Sequence, residues 1–309
     1  MTVLRAVSVV VATYSIHAAE RVLRCVRSLK NQTLKPTELI LVLDPDEVLT
    51  EFFNASTPEG TRIIVSDDFG LSNARNTGIR SASGEIVAFI DDDATADKTW
   101  LETLANSYDD PSVVCVGGFA EPVWEGGQPA WFPAELGWLV GCSYEGLPKY
   151  TTQVRNPIGC NMSFRKSVFD SVGPFRTSIG RFGRNLISGE ETELCIRIIA
   201  ALPSAKILYN PRAVVYHEVP KSRISLGYVI RRSFYEGFSI ATIVNSTKHS
   251  PTRIMSVENG YLRYLLRRAV PSRLKEFYDL RKVCQFLALS ISVYFVAFGF
   301  GVGKLFRKS

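Results

Sequence analysis

The feature that most restricts the fold of this chain is a recurrence near its N-terminus, where short apolar, β-branched runs each give way to polar or acidic residues. VSVVVA (7–12), ELILVL (38–43), TRIIV (61–65) and EIVAFI (85–90) lead into Thr13, Tyr14 and Ser15, into Asp44 and Asp46, into Asp67 and Asp68, and into Asp91, Asp92 and Asp93. Runs that are apolar throughout, without alternation, suit strands buried on both faces. Between them, Val22, Cys25, Val26 and Leu29 recur at helical spacing within 18–31, Pro36 lies beyond, and a second helix is predicted over 71–81. Strands alternating with helices predict parallel βαβ units with right-handed crossovers, a Rossmann-like α/β sheet. Ligands of such sheets gather beyond the carboxyl ends of the strands, so the polar residues there are site candidates. Each has an ordinary turn or helix cap as its structural alternative.

Three consecutive aspartates after a buried strand raise one another's pKa unless positive charge sits among them. A divalent cation resolves that repulsion, and Mg2+ or Mn2+ is commonly held by one or two carboxylates together with substrate phosphates. The pair Asp91 and Asp93 is therefore a candidate clamp for a diphosphate, with capping of a helix near Lys98 as the alternative. Further along, 112–118 is predicted as a strand, 161–172 as a strand entering a helix, and 191–202, 226–244 and 261–270 as helices. The aromatic, Gly/Pro-rich stretch 126–148, with Trp131 and Trp138, is a candidate substrate platform, since sugar faces and prenyl chains pack on rings; core packing is its alternative. Six cysteines with no C-x-x-C pair read as small core residues of a reduced compartment. The N-terminal run lacks the pattern of a signal peptide and reads as the first strand.

Charge separates the chain into two parts. Residues 221–309 hold 16 Lys/Arg against 4 Asp/Glu, so the overall +6 conceals an acidic remainder. Within that basic tail, 283–303 runs 21 residues without a charge, long enough to span a bilayer, which favours a membrane surface over nucleic acid as the partner; a buried core helix or a re-entrant segment is the alternative. Seven Lys/Arg precede the run from Arg263 to Lys282 and three follow it, which predicts that the N-terminal part stays on the cytoplasmic face and only a six-residue tail crosses.

VSVVVATYS, Asp44, LSNARNTGI (71–79), GEIVAFIDDDA (84–94), GCNMSFRKSVFDSVGPF (159–175) and GEETELCIRI (189–198) together resemble, in order and spacing, family 2 glycosyltransferases of the GT-A fold, over residues 5–218. The resemblance implies a nucleotide-sugar donor and a divalent metal. It implies that Thr13 and Asp44 flank the nucleotide base and ribose, that Arg75 and Asn76 lie along the nucleotide, and that Asp91 faces the ribose while Asp93 binds the metal. Tyr14 and Asp92 join the nucleotide-sugar candidates, and Asn161 joins Trp131 and Trp138 on the acceptor side. In the family an acidic pair, usually Glu-Asp, opens a helix and its second member is the catalytic base. Here the pair is Glu190 and Glu191, and a capping box from Ser188 to Glu191 is the structural alternative. His217, in VVYHEVP, matches a position that completes the metal or diphosphate site, with a structural histidine as the alternative.

DDDATAD, the aromatic stretch, VRNPIGCNMSF, GEETELCIR and RRSFYEGFS also resemble archaeal transferases that build lipid-linked glycans, of the glucosyl-dolichyl phosphate glucuronosyltransferase type. That implies a polyprenyl-linked acceptor and a UDP-sugar donor. A transferase extending a surface polysaccharide or O-antigen repeat shares every motif through residue 218. A nucleotidyltransferase usually opens with a Gly-rich loop, and none follows VSVVVA; an inactive scaffold is opposed by the intact acidic pair and D-x-D. The expected division is a catalytic domain over 1–220, a basic amphipathic segment over 221–280 and a membrane segment over 281–309.

Overall fold

The computed structural model describes residues 5–180, 186–246 and 255–305; His249, Arg307 and Lys308 lie outside them. The four predicted N-terminal strands form as β1 (Val7–Thr13), β2 (Glu38–Leu43), β3 (Thr61–Val65) and β4 (Ile86–Asp91), parallel neighbours in the order β3-β2-β1-β4. They are linked by α1 (Ala19–Lys30), α2 (Glu47–Ser56) and α3 (Leu71–Ser81). Beyond β4 the sheet continues through β8 (Asn161–Arg165), β6 (Val113–Trp124), β9 (Lys206–Val219) and β5 (Ala94–Ala96), with antiparallel pairing of β4 to β8, β6 to β8 and β5 to β9. A short β7 (Thr152–Gln153) pairs with β9.

The period-2 geometry of strands sends alternate residues to opposite faces. Val9 and Val11 enter one apolar cluster with Leu41, Ile90 and Trp100, while Val10 enters another with Val42, Phe89, Phe164 and Phe175. Both faces are thus covered, which is why the strands read as continuous apolar runs. Each fully buried Val, Leu or Phe contributes about 1.5–3 kcal/mol relative to exposure.

The chain separates into two compact units. The first comprises Met1–Glu121, Pro148–Asn185 and Glu190–His217, and holds most of the sheet with α4 (Trp100–Asn106), α5 (Ser167–Val172) and α6 (Glu190–Ala201). The second comprises Pro122–Leu147, Leu186–Gly189 and Glu218–Ser309. Its helices are α7 (Leu226–Ser246), α8 (Ser256–Tyr264), α9 (Val270–Lys275) and α10 (Leu280–Leu305), with a π turn at Leu265–Ala269 between α8 and α9. The expected cut near 220 is close to where this unit's last segment begins, but the aromatic stretch belongs to the unit as well. Phe132, Leu136 and Leu139 pack with Val229, Leu265 and Leu289, and buried Arg273 makes two hydrogen bonds to the Glu135 carboxylate. The tail therefore has a core of its own, to which both expected tail pieces contribute.

Candidate active site

β4 ends at Asp91, held between β1 (Ala12 opposite Asp91) and β8 (Asn161 opposite Ile90). The chain then turns into β5, whose Ala94 lies opposite His217 on β9. This pairing brings buried His217 to Asp93, with Nε2 3.2 Å from Oδ1. Donor atoms of Asp91, Asp93 and His217 all lie within 4.8 Å of one another. Asp92, between the two ligand candidates, turns instead to β1 and accepts a 2.6 Å hydrogen bond from the Thr13 hydroxyl. Its pKa is pushed up to about 7, chiefly by burial and then by Asp93, against the Thr13 bond and the charge of Arg21. Two hard carboxylates and an imidazole around one point, with a neighbouring carboxylate under electrostatic stress, fit a divalent cation such as Mn2+ or Mg2+.

The second half of the site is organised by Arg75, in the second turn of α3 and only 2% exposed. Nη1 donates to Glu190 Oε1 at 2.7 Å, and Nη2 donates to Asp91 Oδ1 at 3.2 Å and to the Gly159 carbonyl at 3.0 Å. The guanidinium also stands over the Phe175 ring, 5.7 Å from its centroid. Burial works against its charge, but Glu190, Asp91 and Glu191 more than offset that and raise its pKa. One buried cation thus joins the D-x-D to the first member of the acidic pair. Glu190 is itself buried, and its second oxygen has no hydrogen-bond partner among the described residues. Glu191 is half-buried and lies by the same Gly159 backbone, where a Cβ on Gly159 would stand 3.7 Å from its Oε2.

Ser188 stands one residue ahead of the N-cap position of α6. α6 begins at Glu190, directly after Gly189, whose φ of 100° ends the preceding segment in a left-handed turn. The Ser188 backbone N–H donates to the Ser239 hydroxyl, and Ser188 Oγ is taken up by Arg232 and Glu236 of α7.

The remaining candidates divide by environment. Asp44 is buried and accepts from the Gly70 N–H at 3.4 Å; burial raises its pKa, the Gly70 bond lowers it and Asp68 raises it further, for a net rise. Tyr14 is 75% exposed. Two candidates are bonded to other parts of the protein. Asn76, expected along the nucleotide, clasps the Phe175 backbone through both amide atoms, at 2.8 and 2.9 Å. Asn161, expected to meet the acceptor, is fully buried: its NH2 donates to the Phe119 and Ala213 carbonyls and its oxygen accepts from Trp100 Nε1. Asn161 spends both its N–H groups on backbone carbonyls, whereas Asn76 spends one N–H and one lone pair on Phe175. Trp131 and Trp138 lie against the second unit's apolar cluster, where Trp138 Nε1 donates to Tyr261 Oη at 3.2 Å. Sequence reading missed Arg21, the nearby positive charge that lowers the Asp92 pKa; it stands on an amphipathic helix among other basic residues, so nothing in its local pattern marked it.

The profile of Glycosyl transferase family 2 matches residues 8–173. A glucosyl-dolichyl phosphate glucuronosyltransferase from Haloferax volcanii is 33% identical over 314 aligned positions, covering 97% of this chain and 96% of that one. A pre-mycofactocin glycosyltransferase from Mycobacterium tuberculosis is 29% identical over 171 positions, 54% of this chain and 34% of that one. Among solved structures, a mannosyltransferase from Pyrobaculum calidifontis in complex with GDP-Man and Mn2+ matches with a TM-score of 0.61 and 18% identity, covering 99% of this chain and 88% of that one. At that identity the likeness shows the fold, a GT-A-like α/β architecture.

Proposed function

Because this chain belongs to glycosyl transferase family 2, we propose that it moves a sugar from a nucleotide-sugar donor, in a metal-dependent and inverting step, onto a lipid-linked acceptor at a membrane. The observation that carries the reading is the linkage through Arg75 of a three-donor cation cluster to an acidic pair at a helix start. Asp91, Asp93 and His217 would hold Mn2+ or Mg2+, which supplies positive charge to a departing diphosphate. Asp44 and Thr13, at the ends of adjacent strands, stand on the nucleoside side. Arg75 is bonded to Glu190, and the second member of the pair, Glu191, is the carboxylate assigned to take the proton. Glu191 removes the proton from the acceptor hydroxyl as that oxygen bonds to the anomeric carbon; the bond from that carbon to the diphosphate breaks on the opposite face, and the configuration inverts.

The acceptor class is supported by the Haloferax relative, whose name specifies a glucosyl-dolichyl phosphate, and the donor and metal classes by the GDP-Man and Mn2+ of the Pyrobaculum structure. Membrane attachment is supported by α10, the one described helix long and apolar enough to cross a bilayer. The excess of basic residues that precede its apolar run supports a catalytic unit on the cytoplasmic face. The test is a panel of radiolabelled nucleotide-sugars with membranes as acceptor. Label is expected in the lipid extract, to vanish with EDTA, to return with Mn2+ or Mg2+, and to be absent with Asp93→Ala. Label in water-soluble polysaccharide would assign the other acceptor class, and full activity in EDTA would remove the metal from the mechanism.

A further inference from the structure

α7 and α10 run parallel and touch along their length. Ser233 and Ser292 share a 2.9 Å hydrogen bond. A Cβ on Gly237 would fall 1.9 Å from the Val296 carbonyl oxygen, and one on Gly299 would fall 2.0 Å from that of Phe234. Farther on, Asn245 donates to the Gly303 carbonyl and Lys304 donates to Asn245 Oδ1. Residue numbers rise together on both helices, so their C-terminal ends lie at one level. Small residues that let backbones meet, reinforced by hydrogen bonds between polar side chains, are the means by which helices associate in lipid.

That pairing restricts how α10 can meet a bilayer. The longest uncharged run of α7 is 237–246, about 15 Å of helix against a hydrocarbon thickness of about 30 Å. One face of the N-terminal half of α10 is held by protein, since Ala288 and Leu289 pack into the second unit's cluster and Gln285 donates to the Ala130 carbonyl, while Leu287 on the other is half exposed. Beyond that contact lies 293–303, about 16 Å, on which Tyr294 and Phe298 are more than half exposed. Were 283–303 to cross, exposed Arg231 and the Arg232–Glu236 ion pair would be drawn into the hydrocarbon beside it. The chain would also have to return, because α7 would end on the far side and α10 must begin on the near one. The 33 residues of 247–279 hold seven Lys/Arg and three Asp/Glu, and no crossing helix is found among those described. Each Arg or Lys at the bilayer centre costs roughly 2.5–3.5 kcal/mol on insertion scales.

We infer that α7 and α10 form one two-helix element that enters a single leaflet from the catalytic side, so that the segment after α7 and the C-terminus both stay on that side. This replaces the sequence-based expectation of a tail that crosses, and it rests on the proposed membrane attachment. Both charged ends of the element then reach the headgroups, as for helices embedded in one interface.

The full-length protein, tagged ahead of Met1, is tested in sealed vesicles of known orientation with a membrane-impermeant maleimide. The reporters are Lys248→Cys and Ser309→Cys, each compared with the unsubstituted chain, whose described cysteines are buried apart from half-buried Cys284. Both reporters are expected to react in the vesicles whose N-terminal tag is accessible to protease, with the protein retained after alkaline carbonate extraction. Reaction of either reporter only from the opposite side overturns the single-leaflet arrangement. Release of the unsubstituted protein by carbonate would instead overturn the membrane attachment itself.

Discussion

Glu190 and Glu191 are adjacent in sequence and chemically alike, yet their surroundings differ. Glu190 is 5% exposed and bonded to Arg75, whereas Glu191 is half-buried and acts on Arg75 through its charge. Glu191→Gln is expected to lower turnover by roughly 10²- to 10⁴-fold with donor affinity unchanged, since an amide cannot accept the proton. Glu190→Gln should act mainly on stability, because it strips the buried guanidinium of a full counter-charge, and breaking such a pair costs about 3–5 kcal/mol. Turnover and thermal melts of the two variants separate the roles. A folded but inactive Glu190→Gln beside an active Glu191→Gln would transfer the base to the first residue. At this scale the residue types were legible and the bonds were not: the acidic pair, the D-x-D and His217 stood out, but Arg75 joins Glu190 across 115 positions of sequence. Asn76 and Asn161 looked equally suited to a ligand, and only their packing shows them spent on backbone groups.

The elements that hold the site give two further tests. Gly118 of β6 is packed so tightly that a Cβ would fall 1.9 Å from the Ala213 carbonyl of β9 and 2.5 Å from the Asn161 amide. Gly118→Ala must displace the strand that carries His217, with a loss of about 1–3 kcal/mol expected from overpacking. Denaturant melts and Mn2+ titration should report lower stability together with weaker metal binding; unchanged values would show that β9 is freer than its packing implies. At the opposite end of the strands, the Glu38 carboxylate accepts from Ser8 Oγ and from the Ser83 N–H and hydroxyl. Burial raises its pKa, but the Ser83 and Ser8 bonds and Arg62 more than offset that, so the folded value lies below the ordinary 4.5. Its contribution is therefore present above about pH 4.5 and lost as pH falls through the lower folded value. Glu38→Gln should flatten the acid limb of the melting temperature below that pH, and a limb identical to that of the parent would assign the acid sensitivity elsewhere. Strand and helix limits near the N-terminus were readable to within a residue or two because propensity and burial agree there. α2 was not, since only Leu49 and Phe53 of its ten residues are buried, and β9 was recognised only near its end. Asn210-Pro211-Arg212 looks like a break, yet Asn210 Oδ1 caps the Arg212 N–H and the strand continues.

For the molecule as a whole, the place where the tail is cut should decide the outcome. Truncation after Ser292 keeps Ala288 and Leu289 in the second unit's cluster and removes the lipid-facing half of α10, so the shortened protein is expected in the soluble fraction. Truncation after Leu280 also opens that cluster and should give an aggregating or low-melting product. Fractionation and thermal melts distinguish the two, and a protein cut after Ser292 that still resists carbonate would place the anchor outside α10. The sequence by itself determined what neighbouring residues settle among themselves: the apolar runs that must be strands, the acidic groups at their ends, the basic excess of the tail and an apolar stretch of spanning length. Only the tertiary structure decided which of those groups meet, because contact depends on how segments far apart in the chain fold back on one another. It gave Arg75 its three acceptors, bonded the Asn76 and Asn161 amides to neighbouring protein groups, and set α10 parallel to a helix whose longest uncharged run is half a bilayer long. Hydropathy is a property of a segment, whereas the depth a helix can reach depends on the charges its neighbours carry at the same level.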